Sequence, residues 1–481
     1  MNFIQNIYYR LSSNLIIAAL GFIASVVVIR TFGVEIVGTI AFYMSIFGVM
    51  SCLCDLGVSD ALIKFITDEN AEEKDIIAAY FFLKIILLSI FLLFCSVGIY
   101  LTKETMDTRL MLTFFMTYLL GNGLKGSLYS ICRARREFSI ITIVELASNV
   151  FIFIYTIFIC IFFKNIYLIA LKLLLLYSLQ TFFLVFYMVK NQSLTFAFPE
   201  KKHIMCFIKY ARPIALTTFI SNIMTHIDKL IIGNLIGMKE LGFYDIAKRL
   251  FAPVDMLIKP VTSMLYPEIL KRMYSKHNFF YTEFKEIVHI LTCIGAIFSI
   301  CIIFLSNPFV EIIYGSENLR AATIFTFFSG ICLAKLFLRP YHHLIYGLEL
   351  QYIYPYITIA SSIIRITGYF WLIPQTINNY NIGAIAIPLI NALTMFFPGG
   401  VIIWYKIRQK FKKTHIVETV IKICIPLSIV LIVGFHFQFH IWLFPFLLIA
   451  FIMIQIQLKI ITKHKLTFIF QPILSVYNKF F

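Results

Sequence analysis

The sequence predicts an all-α integral membrane protein of about 14 transmembrane helices, built as two six-helix repeat bundles followed by two C-terminal helices. Three observations lead there. The 481 residues are 60% hydrophobic and only 14% charged, where a soluble domain carries about 25% charged residues. The apolar residues gather into runs long enough to cross a hydrocarbon core of about 30 Å, which takes roughly 20 helical residues each. Lys and Arg collect on one side of those runs, as they do in cytoplasmic loops.

In chain order the runs lie at 11–33, 37–64, 77–101, 110–131, 140–163, 166–189 and 213–236. They continue at 243–268, 287–306, 320–346, 353–373, 382–404, 416–434 and 440–458. The connections are short, and the longest, near 190–212 and 269–286, could not fold as domains. Met1–Arg10 precedes a long apolar run with no small-residue cleavage pattern, so the first run is expected to be an uncleaved helix.

With the N-terminus inside, the cytoplasmic segments hold Arg133, Arg135 and Arg136, then Lys190, Lys201, Lys202, Lys209 and Arg212. Lys271, Arg272, Lys276 and Lys285 follow, and then Lys406, Arg408, Lys410, Lys412 and Lys413. The opposite loops hold only Lys103, Arg109, Lys164 and Lys239. Both termini are therefore expected in the cytoplasm. The same distribution explains the net charge of +17 as attraction to headgroups and the cytoplasmic leaflet, and nothing in the sequence resembles a nucleic-acid module. The ten cysteines sit mostly singly in apolar runs and no CxxC occurs, so they are expected to be reduced structural residues; no metal or cofactor is expected.

The chain also repeats itself. Gly33 and Gly38 close the turn after the first run, and Gly237 and Gly242 close the turn after the seventh, both at an offset of 204. Glycine suits a tight turn between long helices. Copies six helices apart share one membrane orientation, a design compatible with alternating access. The expected division is residues 1–195, 196–410 and a C-terminal pair of helices with a tail over 411–481.

These residues also resemble the polysaccharide-exporter branch of the MOP superfamily, to which the MATE drug exporters and lipid II flippases belong. The first copy carries Arg30-Thr31-Phe32-Gly33, Gly38 and Asp55-Leu56-Gly57 with Ala61. The second carries Ile227-Asp228-Lys229-Leu230-Ile231-Ile232-Gly233, Gly237, Leu241-Gly242-Phe243-Tyr244, Ala247, Pro253 and Met264-Leu265-Tyr266-Pro267. The basic segment Arg133-Ala134-Arg135-Arg136-Glu137-Phe138 is similar as well. Family members tend to place an Asn before the Asp of the second copy; here Thr225 and His226 stand closest, with Asn222 one to two turns earlier. The resemblance spans about the first 12 helices. It implies a flippase for undecaprenyl-pyrophosphate-linked oligosaccharides of O-antigen, capsule or a similar polymer, in the bacterial plasma membrane. The implied partners are that anionic lipid-linked oligosaccharide, membrane lipids and the polysaccharide polymerase machinery.

Ionisable residues inside a membrane are costly and are functional candidates. Asp60 and Lys64, Asp245 and Arg249, Asp255 and Lys259, and Glu418 and Lys422 stand four apart, a spacing that lets each pair neutralise itself on one helix face. Lys84, Lys125 and Lys172 lie near enough to helix ends to snorkel. Lys335 and Arg365 sit closest to mid-membrane without a local acid, and Arg339 shares a face with Lys335. A pyrophosphate would satisfy them, since Arg grips phosphate oxygens bidentately and Lys supplies a point charge. Arg30, Lys248, Lys335, Arg339 and Arg365 are thus the candidate lining of a cationic cleft. The competing reading is that acids on other helices, such as Glu145 or Asp228, pair with them.

Asp228, with His226 nearby, is the candidate for coupling to H⁺ or Na⁺. Pro253, Pro260 and Pro267 recur every seven residues in the eighth run, near one face, so Pro253 and Pro260 are candidate gating positions; a fixed kink is the alternative. A membrane polysaccharide polymerase would be expected to carry a sizeable outer loop or domain. A multidrug exporter would want an acidic or aromatic cavity for organic cations. No G-x-S-x-G occurs, and Gly121 through Gly126-Ser127 lacks the Lys of a phosphate-binding loop, so catalysis and nucleotide-driven transport are not expected.

Overall fold

The computed structural model of the protein describes residues 3–66, 73–101, 106–135, 137–190, 199–275, 280–348, 350–380, 383–410, 416–436, 441–458 and 460. Among them there is no β-strand. Each apolar run forms helix because its residues satisfy their own backbone hydrogen bonds, which lipid cannot do for them. Among the described residues nine helical stretches are long and apolar enough to cross a membrane, and two shorter apolar ones are Ile421–Gly434 and Phe444–Gln457. Large apolar side chains such as Phe94, Phe162, Phe186, Trp371 and Phe446 stay exposed, as suits a surface wetted by lipid tails.

The chain divides into two compact units, Met1–Gly242 and Phe243–Phe481. The N-terminal unit holds α1 (Phe3–Phe32), α2 (Val34–Met50), α3 (Val58–Ile66), α4 (Glu73–Leu101), α5 (Met106–Ala134), α6 (Phe138–Phe162), α7 (Ile166–Lys190) and α8 (Lys201–Leu235). Helix α1 packs on α6, α5 on α7, and α8 on α2, α3 and α4. One core of this unit gathers Leu62, Ile77, Tyr80, Ile131, Ile141 and Phe207, all fully buried.

The run at 37–64, expected as one helix, is broken in the structure. After α2, Ser51–Cys54 tightens to a 3-10 turn, and Leu56 (φ 48) and Gly57 (φ 80) adopt left-handed backbone before α3 begins. Only glycine takes that conformation without strain, and Gly57 is also pressed against Ile214.

Both turn glycines of the repeat have positive φ, 82 at Gly33 and 130 at Gly237. The second glycine of each turn does something else. A Cβ on Gly38 would collide with the carbonyl oxygen of Met238, and a Cβ on Gly242 would collide with that of Val34. Met238 lies 204 residues after Val34, so the two contacts are copies of one another, both within the N-terminal unit.

The C-terminal unit begins within α9 (Met238–Ser275), one continuous helix through Pro253, Pro260 and Pro267. It continues with α10 (Phe280–Tyr314), α11 (Leu319–Gly347), α12 (Tyr354–Tyr380), α13 (Ala386–Thr394) and α14 (Val401–Lys410). The last two runs give α15 (Ile416–Thr419), α16 (Ile425–His436) and α17 (Phe444–Gln457). Ile423, Leu427, Val430 and Phe451 pack these onto Cys293, Ala296, Ile300 and Phe304 of α10.

The run at 382–404 is also broken. Between α13 and α14, Met395–Gly400 widens to a π-type turn, and Phe397 leaves helical geometry at φ −122, ψ 118. The cause is local: Phe397 precedes Pro398, and a residue before proline is pushed out of the α region. Gly399 and Gly400 follow.

Candidate functional site

Most cations inside the helices have partners, and these decide where an anion could bind. In the N-terminal unit, Arg10 pairs with Glu145 at 2.9 Å. Lys125 packs over the rings of Tyr177 and Tyr129 at 4.5 and 5.0 Å, contacts worth about 0.5–2 kcal/mol. Lys84 differs from expectation: it does not snorkel. It is 3% exposed, ion-paired with Asp55, and donates to the Cys54 carbonyl at 3.0 Å. Asp55 also accepts from Ser59 Oγ at 2.5 Å, and Ser59 lies 3.2 Å from the Tyr80 hydroxyl. This network holds the broken segment between α2 and α3.

In the C-terminal unit, Arg249 donates to Asp245 at 2.7 Å, as the spacing of four predicts. Glu418 binds Lys422 at 2.8 Å, again as expected, and Lys285 at 2.5 Å. Lys248 is half-buried over the ring of Tyr244 at 5.7 Å.

Lys335 has no acid near it in the sequence, and the spacing of four predicts Asp255 to pair with Lys259. In the structure Asp255 forms an ion pair with Lys335, and Lys335 also lies over Phe251 at 5.3 Å. The Lys259 side chain lies outside the described residues. Asp255 on α9 and Lys335 on α11 are 80 residues apart, so no local spacing rule could have matched them.

Around Lys335 a cavity of about 280 Å³ opens in the C-terminal unit. Arg339, one turn further along α11, and Arg365 on α12 line it, with His342, Ser361 and Thr394 adding polar groups. Among the described residues neither Arg339 nor Arg365 is paired with a carboxylate, and Arg365 Nε is buried without a hydrogen-bond partner. Met395 and Gly399 form part of the wall, so the cavity lies at the break between α13 and α14. Irregular backbone at membrane depth is tolerated where it lines a cavity. Three of the five candidate cations therefore meet in one place. Arg30, exposed in the last turn of α1, belongs to the N-terminal unit, and Lys248 is not among the lining residues.

Glu145 and Asp228, suggested as alternative acids, both lie in the N-terminal unit. Asp228 is 5% exposed on α8. The imidazole of His226 packs on Gly48, where any Cβ would collide with it. Pro253 is exposed on α9, and the Pro260 side chain lies outside the described residues.

Sequence reasoning missed His342, Ser361, Thr394 and the role of Asp255. The break itself had a signal, Pro398-Gly399-Gly400 inside an apolar run.

Known proteins can now be set beside this geometry. Residues 3–273 match a family described as "Polysaccharide biosynthesis protein". The lipid II flippase MurJ in its inward closed conformation is similar in structure, with a TM-score of 0.69 at 15% identity over 97% of this chain and 100% of that one. An inward-facing multidrug resistance MATE family transporter of the MOP superfamily has a TM-score of 0.61 at 13% identity, over 85% of this chain and 99% of that one. The outward-facing conformation of a MATE transporter scores 0.52 at 13% identity, over 84% and 95%. At such identities the likeness is one of fold. No curated protein sequence matches the chain.

Proposed function

The chain belongs to the polysaccharide biosynthesis protein family, and from that premise we propose that it is a flippase translocating undecaprenyl-pyrophosphate-linked oligosaccharide across the bacterial plasma membrane. The observation that carries this reading is the cavity with two guanidiniums unmatched by acid among the described residues. A cation at that depth needs an anionic partner or water. A pyrophosphate supplies it, with oxygens arranged for the bidentate grip of Arg.

In this reading the pyrophosphate enters the cavity of the C-terminal unit, the glycan remains outside it, and transport proceeds by alternating access with both termini in the cytoplasm. Asp228 is the proposed ion-coupling residue, and the α9 segment from Pro253 to Pro260 the proposed bend. Arg30 and Lys248, away from the cavity lining, are proposed to meet the anion on its way in or out.

The test is the leaflet in which the lipid-linked oligosaccharide accumulates in cells with and without the protein. The expected result is build-up on the cytoplasmic leaflet and loss of surface polysaccharide when the protein is missing. Unchanged lipid intermediates would reject the reading for that glycan. The structural likeness to MATE transporters makes export of organic cations the second reading, and drug efflux its measure. The cationic lining counts against it, because it repels such cargo.

A further inference from the structure

The broken segment between α2 and α3 has a buried positive charge set at a helix end. Helix α2 tightens into the 3-10 turn Ser51–Cys54, and Leu56 and Gly57 turn the chain left-handed before α3. Carbonyls at a helix end lack partners within the helix and carry the negative end of its dipole. The Lys84 ammonium meets that end. It donates to the Cys54 carbonyl at 3.0 Å and to Asp55 Oδ1, and it lies 5.7 Å from the centre of the Tyr80 ring. Ser59 Oγ adds a third kind of oxygen, 2.5 Å from Asp55 Oδ1. A carboxylate, a main-chain carbonyl at a broken helix and a hydroxyl together make a donor set for a hard cation.

The second copy of the repeat supplies a contrast. At the offset of 204 residues, Asp55 and Lys84 correspond to Lys259 and Val288. There α9 runs as one helix from Met238 to Ser275. The break and the acid–base pair thus occur together in the first copy and are missing together from the second.

We propose that the break between α2 and α3 is a monovalent-cation site whose ion is the chain's own Lys84 ammonium, which excludes K⁺ and keeps the break formed without an ion from solution.

The physical argument is charge and access. The Lys84 ammonium is buried, whereas the Asp55 side chain is 34% exposed. Lys84 therefore fills the interior side of the site, and the carboxylate opens it toward water. With Lys84 removed, the oxygens that held the ammonium would face a vacated space under a net negative charge. An ammonium and K⁺ are close in size, so K⁺ can enter from the Asp55 side and take the same oxygens. In the native chain no free ion competes, because a tethered ammonium gives up no translational freedom on binding. One functional consequence follows: an alkali ion that drives transport must bind somewhere other than this break. The proposal stands apart from the flippase reading, since it concerns the N-terminal unit whatever the cargo.

The experiment uses the full-length protein in lipid nanodiscs at fixed neutral pH. K⁺ is exchanged for N-methylglucamine at constant ionic strength, and thermal unfolding is followed. Wild-type protein should melt at the same temperature in both. Lys84→Ala should melt lower than wild type in N-methylglucamine and rise saturably with K⁺, by about 3 °C or more. The double variant Asp55→Asn/Lys84→Ala should lose the response to K⁺, because the carboxylate that attracts the ion is gone. A purely structural role for Lys84 would lower stability equally in both salts.

If Lys84→Ala cannot be recovered as folded protein in N-methylglucamine, purification in KCl becomes the test. Recovery in KCl alone supports the proposal, and recovery in neither salt overturns it. So does a Lys84→Ala protein indifferent to K⁺, a response that persists unchanged in the double variant, or a wild-type protein that responds to K⁺ as strongly as Lys84→Ala.

Discussion

Lys84 shows how a single residue's role depends on a partner the sequence does not place beside it. Its carboxylate, Asp55, stands 29 residues earlier, beyond a helix end and a left-handed turn. Position along α4 suggests snorkelling, whereas packing turns the ammonium inward. Only Lys84 of this pair is buried, so removing Asp55 leaves a buried ammonium uncompensated, the costly state for an ion taken out of water. Asp55→Ala should therefore lower the melting temperature of the detergent-purified protein strongly. The double variant Asp55→Leu/Lys84→Met should recover most of the loss. The same distance blindness hid the partnership of Asp255 with Lys335. The cluster itself was easier: Lys335, Arg339 and Arg365 stand out in the sequence because they interrupt apolar runs, and the structure gathers them in one cavity. Arg365→Ala and Arg339→Ala should each reduce transport about tenfold or more with unchanged amounts of protein in the membrane. Hydrogen bonds to charged groups contribute about 1.5–3 kcal/mol. Surface polysaccharide and membrane protein, measured together, check this.

At the scale of the element, hydropathy located the helices well because lipid makes the same demand of every spanning segment: its backbone must satisfy itself. It could not locate the interruptions. The break before α3 depends on tertiary support from the Asp55–Lys84–Ser59 network. The one between α13 and α14 depends on Phe397-Pro398-Gly399-Gly400, which is legible locally but reads equally well as a mild kink. Pro398→Ala lifts the restriction on Phe397 and should let α13 and α14 join as one helix. Transport should fall while protein levels hold, and hydrogen exchange of amides 395–400 should slow. Unaltered exchange there would show that the surroundings, rather than the proline, hold the break.

For the molecule as a whole, composition, loop charge and the 204-residue offset were sufficient to predict a helical membrane protein with an internal repeat. The fold likeness to a lipid II flippase and to MATE transporters agrees with that. What the sequence left unread is which unit holds the cavity lined by Lys335, Arg339 and Arg365. Cations are scattered over both halves, and only the packing shows which of them neighbouring carboxylates and tyrosines have already engaged. The coupling proposal belongs at this scale, because Asp228 lies in the N-terminal unit and the cavity in the other. Any link between them must be a property of the whole transport cycle. Asp228→Asn should abolish the dependence of transport on an imposed H⁺ or Na⁺ gradient, measured in proteoliposomes. Retained gradient dependence would remove Asp228 from that role.

The paired turns have a consequence for genetics. Gly38 rests on the carbonyl of Met238 and Gly242 on the carbonyl of Val34. Each glycine therefore faces main chain, which every residue type possesses. Shrinking a neighbouring side chain cannot make room for a methyl group at either position. In a screen for revertants of Gly242→Ala, intragenic suppressors should arise by true reversion or by changes that shift a helix bodily, and not at the facing residues. Two copies that began alike would then be held alike at these points by geometry, however far the rest of the two halves drifts.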